Sequence, residues 1–275
     1  MSVILQISDT HFGTEQTPVV EALLALAWQL QPDLVVLSGD VTQRARPAEF
    51  AAAAAFVARL PPGLRLVVPG NHDIPLFNVL QRLMDPFQGY RQCLGSALEG
   101  SCRLPDVFVT GVNSARAWRH KHGALSPEQI EAVAERLRRA GPTPMRIVVV
   151  HHPLDVHDAG DLGDIVRGAS EAVRAWARAG ADLVLSGHVH VPLCRPLAVR
   201  YGPGAGACWV AVAGTATSRR TRGGHPNSVN VIRVDRFAGA VRHVLEQRDY
   251  DSERQAFRVA ATRDLSDRLP TIIAP

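Results

Sequence analysis

Residues 3–40 read VILQISDTHFGTEQTPVVEALLALAWQLQPDLVVLSGD, and the fold turns on how they are read. Val3 to Ile7 and Leu34 to Leu37 are short aliphatic runs of the kind a strand buried on both faces requires. Between them, Val19 to Leu30 has its apolar residues at helical spacing. Each run ends in polar groups, Asp9-Thr10-His11 after the first and Gly39-Asp40 after the second. The rhythm continues to residue 190. Leu64 to Val68, Val107 to Val112, Ile147 to Val150 and Leu183 to Leu185 read as further buried strands. Pro47 to Leu60, Pro127 to Ala140 and Ser170 to Ala179 read as helices. Ser126 places an N-cap before Pro127, while Gly141-Pro142 and Gly180 stop the last two helices. Strands alternating with helices predict a layered α/β core.

Past residue 190 the pattern changes. Leu193 to Val199, Cys208 to Val212, Ser228 to Val234 and Ala240 to Leu245 follow one another with turns between, which predicts antiparallel pairing. Residues 202–207, rich in glycine, read as a hairpin loop. Residues 1–253 are expected to form one domain, and 254–275 a C-terminal arm without clear pattern.

A chain of 275 residues, 46% hydrophobic and 20% charged, has ample material for a buried core. Val19 to Leu30 is too short to cross a bilayer, which takes about 20 apolar residues, and no basic leader precedes the first apolar run. We therefore expect no membrane span, no signal peptide and a cytoplasmic location. Four cysteines stand far apart with no C-x-x-C pair, so neither a zinc ribbon nor disulfides are expected. The net charge of +4 suits an anionic substrate, but no basic run interleaved with aromatics points to nucleic acid. Homo-oligomerisation is left open.

The chemistry sits where predicted strands end. Asp9-x-His11, Gly39-Asp40, Gly70-Asn71-His72-Asp73, His151-His152-Pro153 and Gly187-His188-x-His190 each follow a strand. Carboxyl ends of strands in an α/β sheet share one edge, so these loops converge. Imidazole mixed with carboxylate and amide, without thiolate, suits zinc, manganese or iron rather than calcium. There are more ligands than one tetrahedral ion takes, and enough for two ions about 3.5–4 Å apart around a shared carboxylate. Such a pair keeps net positive charge and favours a phosphoryl group.

These blocks, in this order, resemble the calcineurin-like metallophosphoesterase superfamily, and most the bacterial branch of class III cyclic-nucleotide phosphodiesterases and glycerophosphodiesterases. The resemblance implies a four-layer αββα sandwich with mixed sheets and an antiparallel C-terminal half. It implies Asp9, His11, Asp40 and His190 around one divalent or mixed-valence metal (manganese, iron or zinc). Asp40, Asn71, His151 and His188 would surround the other, with Asp40 as the bridge. A hydroxide held between the metals would attack a small phosphate ester in line, with His72 as general acid and Asp73 orienting it. A phosphodiesterase, a phosphoric diester hydrolase, is the expected activity. The alternatives are a pyrophosphohydrolase acting on a nucleoside-diphosphate-linked lipid, and an inactive scaffold of the same fold.

Several residues keep two readings. Arg44 either meets the substrate or lies in solvent, and His152 either meets substrate or supports its neighbour His151. The arginines Arg219, Arg220 and Arg222 form either a solvated loop or, through Arg220, a phosphate contact. Residues 74–100 follow the Asn71–Asp73 block and carry Phe77, Leu80, Leu83, Met84, Phe87 and Tyr90; core packing and a specificity cap are both open.

Overall fold

Successive side chains of a strand leave opposite faces, and β1 (Ser2–Ile7) is buried on both. In a computed structural model describing residues 1–95, 97–141, 143, 145–237 and 240–266, Val3, Leu5 and Ile7 face α1 (Thr17–Leu30) and α2 (Pro47–Arg59). Ile4 faces a second sheet across a largely aliphatic interior. Full burial of such a side chain contributes about 1.5–3 kcal/mol relative to exposure. Gln6 also points inward and is satisfied there by Ser38 Oγ (3.0 Å), the Ser186 carbonyl (2.9 Å) and Asn230 (2.9 Å).

The first sheet runs β12-β11-β10-β1-β2-β3, with β2 (Leu34–Leu37), β3 (Leu64–Val67), β10 (Ser228–Phe237), β11 (Ala240–Asp251) and β12 (Ala256–Asp264). β1, β2 and β3 are parallel, in register at Ile4, Leu34 and Leu64, and the other three strands join antiparallel. The second sheet runs β4-β5-β6-β7-β9-β8, with β4 (Ser101–Arg103), β5 (Val107–Val112), β6 (Met145–Val150), β7 (Leu183–Ser186), β8 (Leu193–Pro196) and β9 (Trp209–Val212). β5, β6, β7 and β9 are parallel; β4 and β8 close its edges antiparallel. Two short helices, α3 (Val79–Met84) and α4 (Gln88–Leu94), connect the sheets. α5 (Pro127–Arg139) and α6 (Ala169–Arg178) cover the outer face of the second sheet, giving four layers, αββα.

Local signals are met where expected. Ser126 Oγ accepts the Gln129 amide and Gln129 Oε1 accepts that of Ser126, each at 3.2 Å, so both orphan donors at the start of α5 are paired. Ile130, Val133, Ala134 and Leu137 then form its buried stripe. Gly141 follows in left-handed backbone; Pro142 lies outside the described residues.

Four expectations need correction. The arm does not hold across 254–275, because Ala256–Asp264 form β12, with only Phe257 of its side chains buried. Pairing with β11 holds such a strand through its backbone, which leaves little hydrophobic pattern; residues 267–275 lie outside the described residues. β3 is the sheet's edge strand, so Leu64 and Arg65 are exposed rather than buried on both faces. β9 pairs parallel with β7, so the C-terminal half is not uniformly antiparallel. Between β8 and β9 the chain folds α7 (Ala198–Tyr201) and a 3-10 turn over Gly202–Ala205 in place of a plain hairpin loop.

Candidate metal centre

Five strand ends meet at one edge of the sandwich. β1 delivers Asp9 and His11, β2 Asp40, β3 the Asn71–Asp73 turn, β6 His151 and β7 His188 and His190. The ligand-capable atoms of Asp9, His11 and His190 lie within 4.8 Å of one another, as do those of Asp9, Asp40 and His151. Asp40 Oδ2 stands 3.3 Å from His151 Nε2 and 3.8 Å from His11 Nε2, between those two histidines. The His188 and His151 rings are 5.2 Å apart, and Asn71 opens onto the same cleft as His72.

The backbone is bent to achieve this. Asp9, His11, Asp40, His188 and His190 all have φ between 44° and 76°. Non-glycine residues in this region cost of order 1–3 kcal/mol each and persist where surroundings over-determine them. Here the His11 amide donates to the Asp40 carbonyl (3.0 Å), that of Asp9 to the Gly39 carbonyl (3.0 Å), and Thr215 Oγ1 to the Asp9 carbonyl (2.6 Å). Two glycines make room. A Cβ on Gly70 would lie 2.1 Å from Asp40 Oδ1, and one on Gly187 2.2 Å from Asp9 Oδ2.

Four candidate ligands keep a buried side-chain atom without a hydrogen-bond partner. Asp9 Oδ2 accepts from Ser8 Oγ (2.6 Å) and the His188 amide (3.0 Å), leaving Oδ1 unpartnered. The Nδ1 of His151 faces the Ser38 carbonyl (2.8 Å), leaving Nε2 without a hydrogen bond. His190 Nδ1 faces the Arg220 carbonyl (2.6 Å). Asn71 Oδ1 and His188 Nδ1 are likewise buried without partners. Unpaired buried polar atoms are rare and need a reason, and a pair of cations supplies one. The nitrogens of His11 and His190 face each other at 3.0 Å.

Electrostatics agrees. Burial resists ionisation of Asp9 and Asp40, yet His190 beside the first and His151 beside the second hold both carboxyls below their usual range. Burial also pushes His11 well down, against the pull of Asp40 and Asp9. His151 is carried the other way, to about 9, because Asp40 outweighs its burial. His151 would give up that proton to serve as a ligand, because a metal is held by the neutral imidazole.

His72 borders the cluster, its ring 4.8 Å from that of His11. Its Nδ1 faces the Gln43 carbonyl at 2.7 Å, so Nε2 is the nitrogen presented to the cleft. Asp73 does not orient it, which corrects the sequence expectation. The Asp73 carboxylate accepts the amides of Gly70 (2.9 Å), Val41 (3.2 Å) and Thr42 (2.8 Å) and the Thr42 hydroxyl (2.9 Å), tying the β2 and β3 loops together. Burial, with the Asp40 charge adding, lifts Asp73 to about 6.

Arg220 reaches the site; Arg219 is exposed and Arg222 pairs with Asp161 at 2.6 Å. Arg220 Nη1 lies 3.2 Å from His72 Nε2, 3.3 Å from His11 Nδ1 and 3.1 Å from Gln43 Oε1. Arg44 lines the cleft with His72 and His120. His152 does not meet the cleft. It is fully buried, with Nδ1 on Ser114 Oγ (2.7 Å) and Nε2 on the Lys121 carbonyl (3.1 Å), and its ring packs 4.5 Å from that of His188. Both nitrogens are used, so it supports its neighbours.

Sequence reasoning missed Gln43, Ser114 and Asp164. Asp164 Oδ1 stands 3.8 Å from His188 Nε2 and 3.1 Å from Lys121 Nζ. His188, with Lys121 behind it, holds the Asp164 carboxyl far below its usual range. Gln43 and Asp164 lie away from strand ends, and Ser114, two residues past β5, stands in no block of metal-ligand spacing.

The fold and this cluster define a two-sheet sandwich with a two-metal type of side-chain set at the strand ends. Residues 2–192 match the family model of the calcineurin-like phosphoesterases, and the chain belongs to that family. It is 26% identical over 215 residues to a cAMP/cGMP dual specificity phosphodiesterase of Mycobacterium tuberculosis, covering 68% of this chain and 61% of that one. It is 29% identical over 174 residues to the glycerophosphodiester phosphodiesterase GpdQ of Enterobacter lignolyticus, covering 57% and 59%. The matches thus span about three-fifths of each relative's length. Among solved structures, a purple acid phosphatase from yellow lupin (Lupinus luteus) seeds superimposes with a TM-score of 0.71 at 13% identity, over 96% of this chain and 53% of that one.

Proposed function

We propose that this chain is a metal-dependent phosphodiesterase holding two ions. The reading is carried by the buried, unpartnered Asp9 Oδ1, Asn71 Oδ1, His151 Nε2 and His188 Nδ1, presented from separate strands into one cluster. Asp9, His11 and His190 would hold one ion, Asn71, His151 and His188 the other, with Asp40 Oδ2 between them. The donor set is nitrogen and oxygen without thiolate, which fits manganese, iron or zinc. Bound ions supply Lewis acidity toward a phosphoryl oxygen and acidify water for in-line attack.

The chain's own residues do the rest. Arg220 spans His11 and His72, where an entering phosphoryl oxygen accepts from its guanidinium. His72, oriented by the Gln43 carbonyl, offers Nε2 to the departing alkoxide as general acid, help typically worth about 10²–10⁴-fold. Both similar proteins are named as phosphodiesterases, which supports a diester. One observation favours a second reading: an arginine at the phosphoryl position also suits a nucleoside-diphosphate linkage. No candidate ligand is absent, so the inactive scaffold has no support from the site.

The test is elemental analysis of the purified protein, then turnover of bis(p-nitrophenyl) phosphate, cyclic nucleotides, glycerophosphodiesters and nucleoside-diphosphate esters by the same sample. Two ions per chain and fastest turnover of a diester are expected. Two bound ions with no turnover of any ester would sink the enzyme reading, and preference for the diphosphate would shift the substrate.

A further inference from the structure

Helix α3 is inside out. A surface helix normally turns its apolar stripe to the core, yet no residue of Val79–Met84 is buried. Leu80, Leu83 and Met84 are 73%, 77% and 79% exposed, Phe77 just before them 76%, and Trp118 on the neighbouring loop 79%. The side chain that turns inward is Arg82. It donates to the Ala117 carbonyl (2.7 Å) and the Pro75 carbonyl (3.0 Å), which fastens α3 beside the Trp118 loop. These exposed apolar side chains, on two segments tied together by Arg82, make up a collar, and exposed apolar surface gathered in one region marks a place of interaction. It borders the cleft. Leu76 and Arg82 line the same pocket as His72 and His120, and the Arg44 guanidinium lies over the Phe77 ring at 5.9 Å.

Charge around the collar is one-sided. Arg44, Arg82 and Arg119 border it, and among the described residues none of them makes an ion pair. The carboxylate on α3's own side, Asp85, is taken by Arg91. Arg82 bonds instead to neutral carbonyl oxygens, which leave its charge uncancelled. A second copy docking about a two-fold axis would bring the same arginines face to face. Leucine, methionine, phenylalanine and tryptophan ringed by arginine match an anionic interface whose apolar layer lies just beneath its charge.

We propose that α3 and the Trp118 loop dock onto an anionic lipid bilayer, placing the cleft against the headgroup layer. Docking stands apart from the proposed function; only the corollary that the diester is met at that surface rests on it. The test is co-sedimentation of the full chain with phosphatidylcholine vesicles, with and without phosphatidylglycerol, alongside a variant carrying Leu83→Asp and Met84→Asp. Both positions are exposed, so the variant folds. Binding to phosphatidylglycerol vesicles should exceed that to phosphatidylcholine alone by about tenfold or more and weaken with salt. The variant should lose about tenfold or more of it, with metal content and bis(p-nitrophenyl) phosphate turnover unchanged. Absence of binding to phosphatidylglycerol vesicles, or equal binding by the variant, overturns the proposal. So does a dimer in light scattering that the variant splits, since the collar then belongs to a second copy. A protein that binds vesicles but turns over no ester leaves docking standing and removes the enzyme reading; an active protein that ignores vesicles does the reverse.

Discussion

His72 has one nitrogen committed to the Gln43 carbonyl and the other turned to Arg220 and the cleft. If it protonates the leaving group, its loss matters most where the departing alkoxide is poorest. We predict that His72→Ala lowers kcat by about 10²–10⁴-fold on an alkyl diester and far less on a nitrophenyl one, with metal content unchanged. Parallel rate measurements on the two substrates decide it, and equal losses would remove the acid role. At Gly70 the constraint is steric. A methyl group there would sit 2.1 Å from the Asp40 carboxylate and 2.3 Å from its amide. Gly70→Ala should displace Asp40 and cost about 1–3 kcal/mol of stability, as overpacking does. If Asp40 stands between the two proposed ligand sets, metal analysis should then find both ions depleted; retention of two ions at wild-type affinity would refute the assignment.

At the scale of elements, the 3-10 turn Ala159–Asp164 fastens the site from behind. Asp161 takes Arg222 from one neighbouring loop, and Asp164 takes Lys121 from another while facing His188. A carboxylate behind a ligating imidazole fixes its ring and raises its basicity, and losing it typically costs 10–100-fold in metal affinity. Asp164→Asn should therefore weaken retention of one ion by about that factor and spare the other. Chelator titration should show two separated steps where the parent shows them closer; an unchanged titration removes Asp164 from the site. The segment 74–100 divides at this scale too. Phe87 and Tyr90 in and beside α4 are buried with Phe50 of α2, whereas α3 stays in solvent beside the cleft. Its apolar letters look alike in sequence, because hydrophobicity alone does not say which surface a six-residue helix meets.

For the molecule as a whole, Asp155 is a tie. It sits in the loop after β6, fully buried, and accepts from Arg195 Nε on β8 (2.7 Å) and from Arg200 on α7. Breaking a buried pair leaves uncompensated charge, at a typical cost of about 3–5 kcal/mol, so Asp155→Ala should lower stability by that order in denaturant unfolding. Burial raises the Asp155 carboxyl, but hydrogen bonds from Arg195 and Arg200 prevail and hold it below its ordinary value. A folded value below the unfolded one stabilises fully above about pH 4. That contribution fades as pH falls through the depressed value. The gap between parent and variant should thus be constant near neutral pH and narrow in acid. A gap that widened in acid would contradict the pairing.

Much of this architecture was legible in the chain. β1, β2, β5, β6 and β7 are buried along nearly their whole length, and burial on both faces favours runs dominated by aliphatic residues. Asp9, His11, Asp40, Asn71, His151, His188 and His190 were legible as candidates because each follows a predicted strand, and strand ends on one edge meet. What remained hidden depends on neighbours distant in sequence. Ala256–Asp264 has no hydrophobic pattern and is a strand only because β11 offers its edge. Gln43 orients His72 through a backbone carbonyl, a group every residue carries, so its identity signals nothing. Asp73 looked like the partner of the histidine beside it, but the three amides that claim its carboxylate come together only when β2 and β3 lie side by side. Covalent order determined which groups stand at the strand ends, since alternation and burial act within a few residues. Which of their atoms are occupied and which are free was decided by tertiary packing, because a hydrogen bond needs both partners within about 3 Å, and only the closed sandwich brings them there.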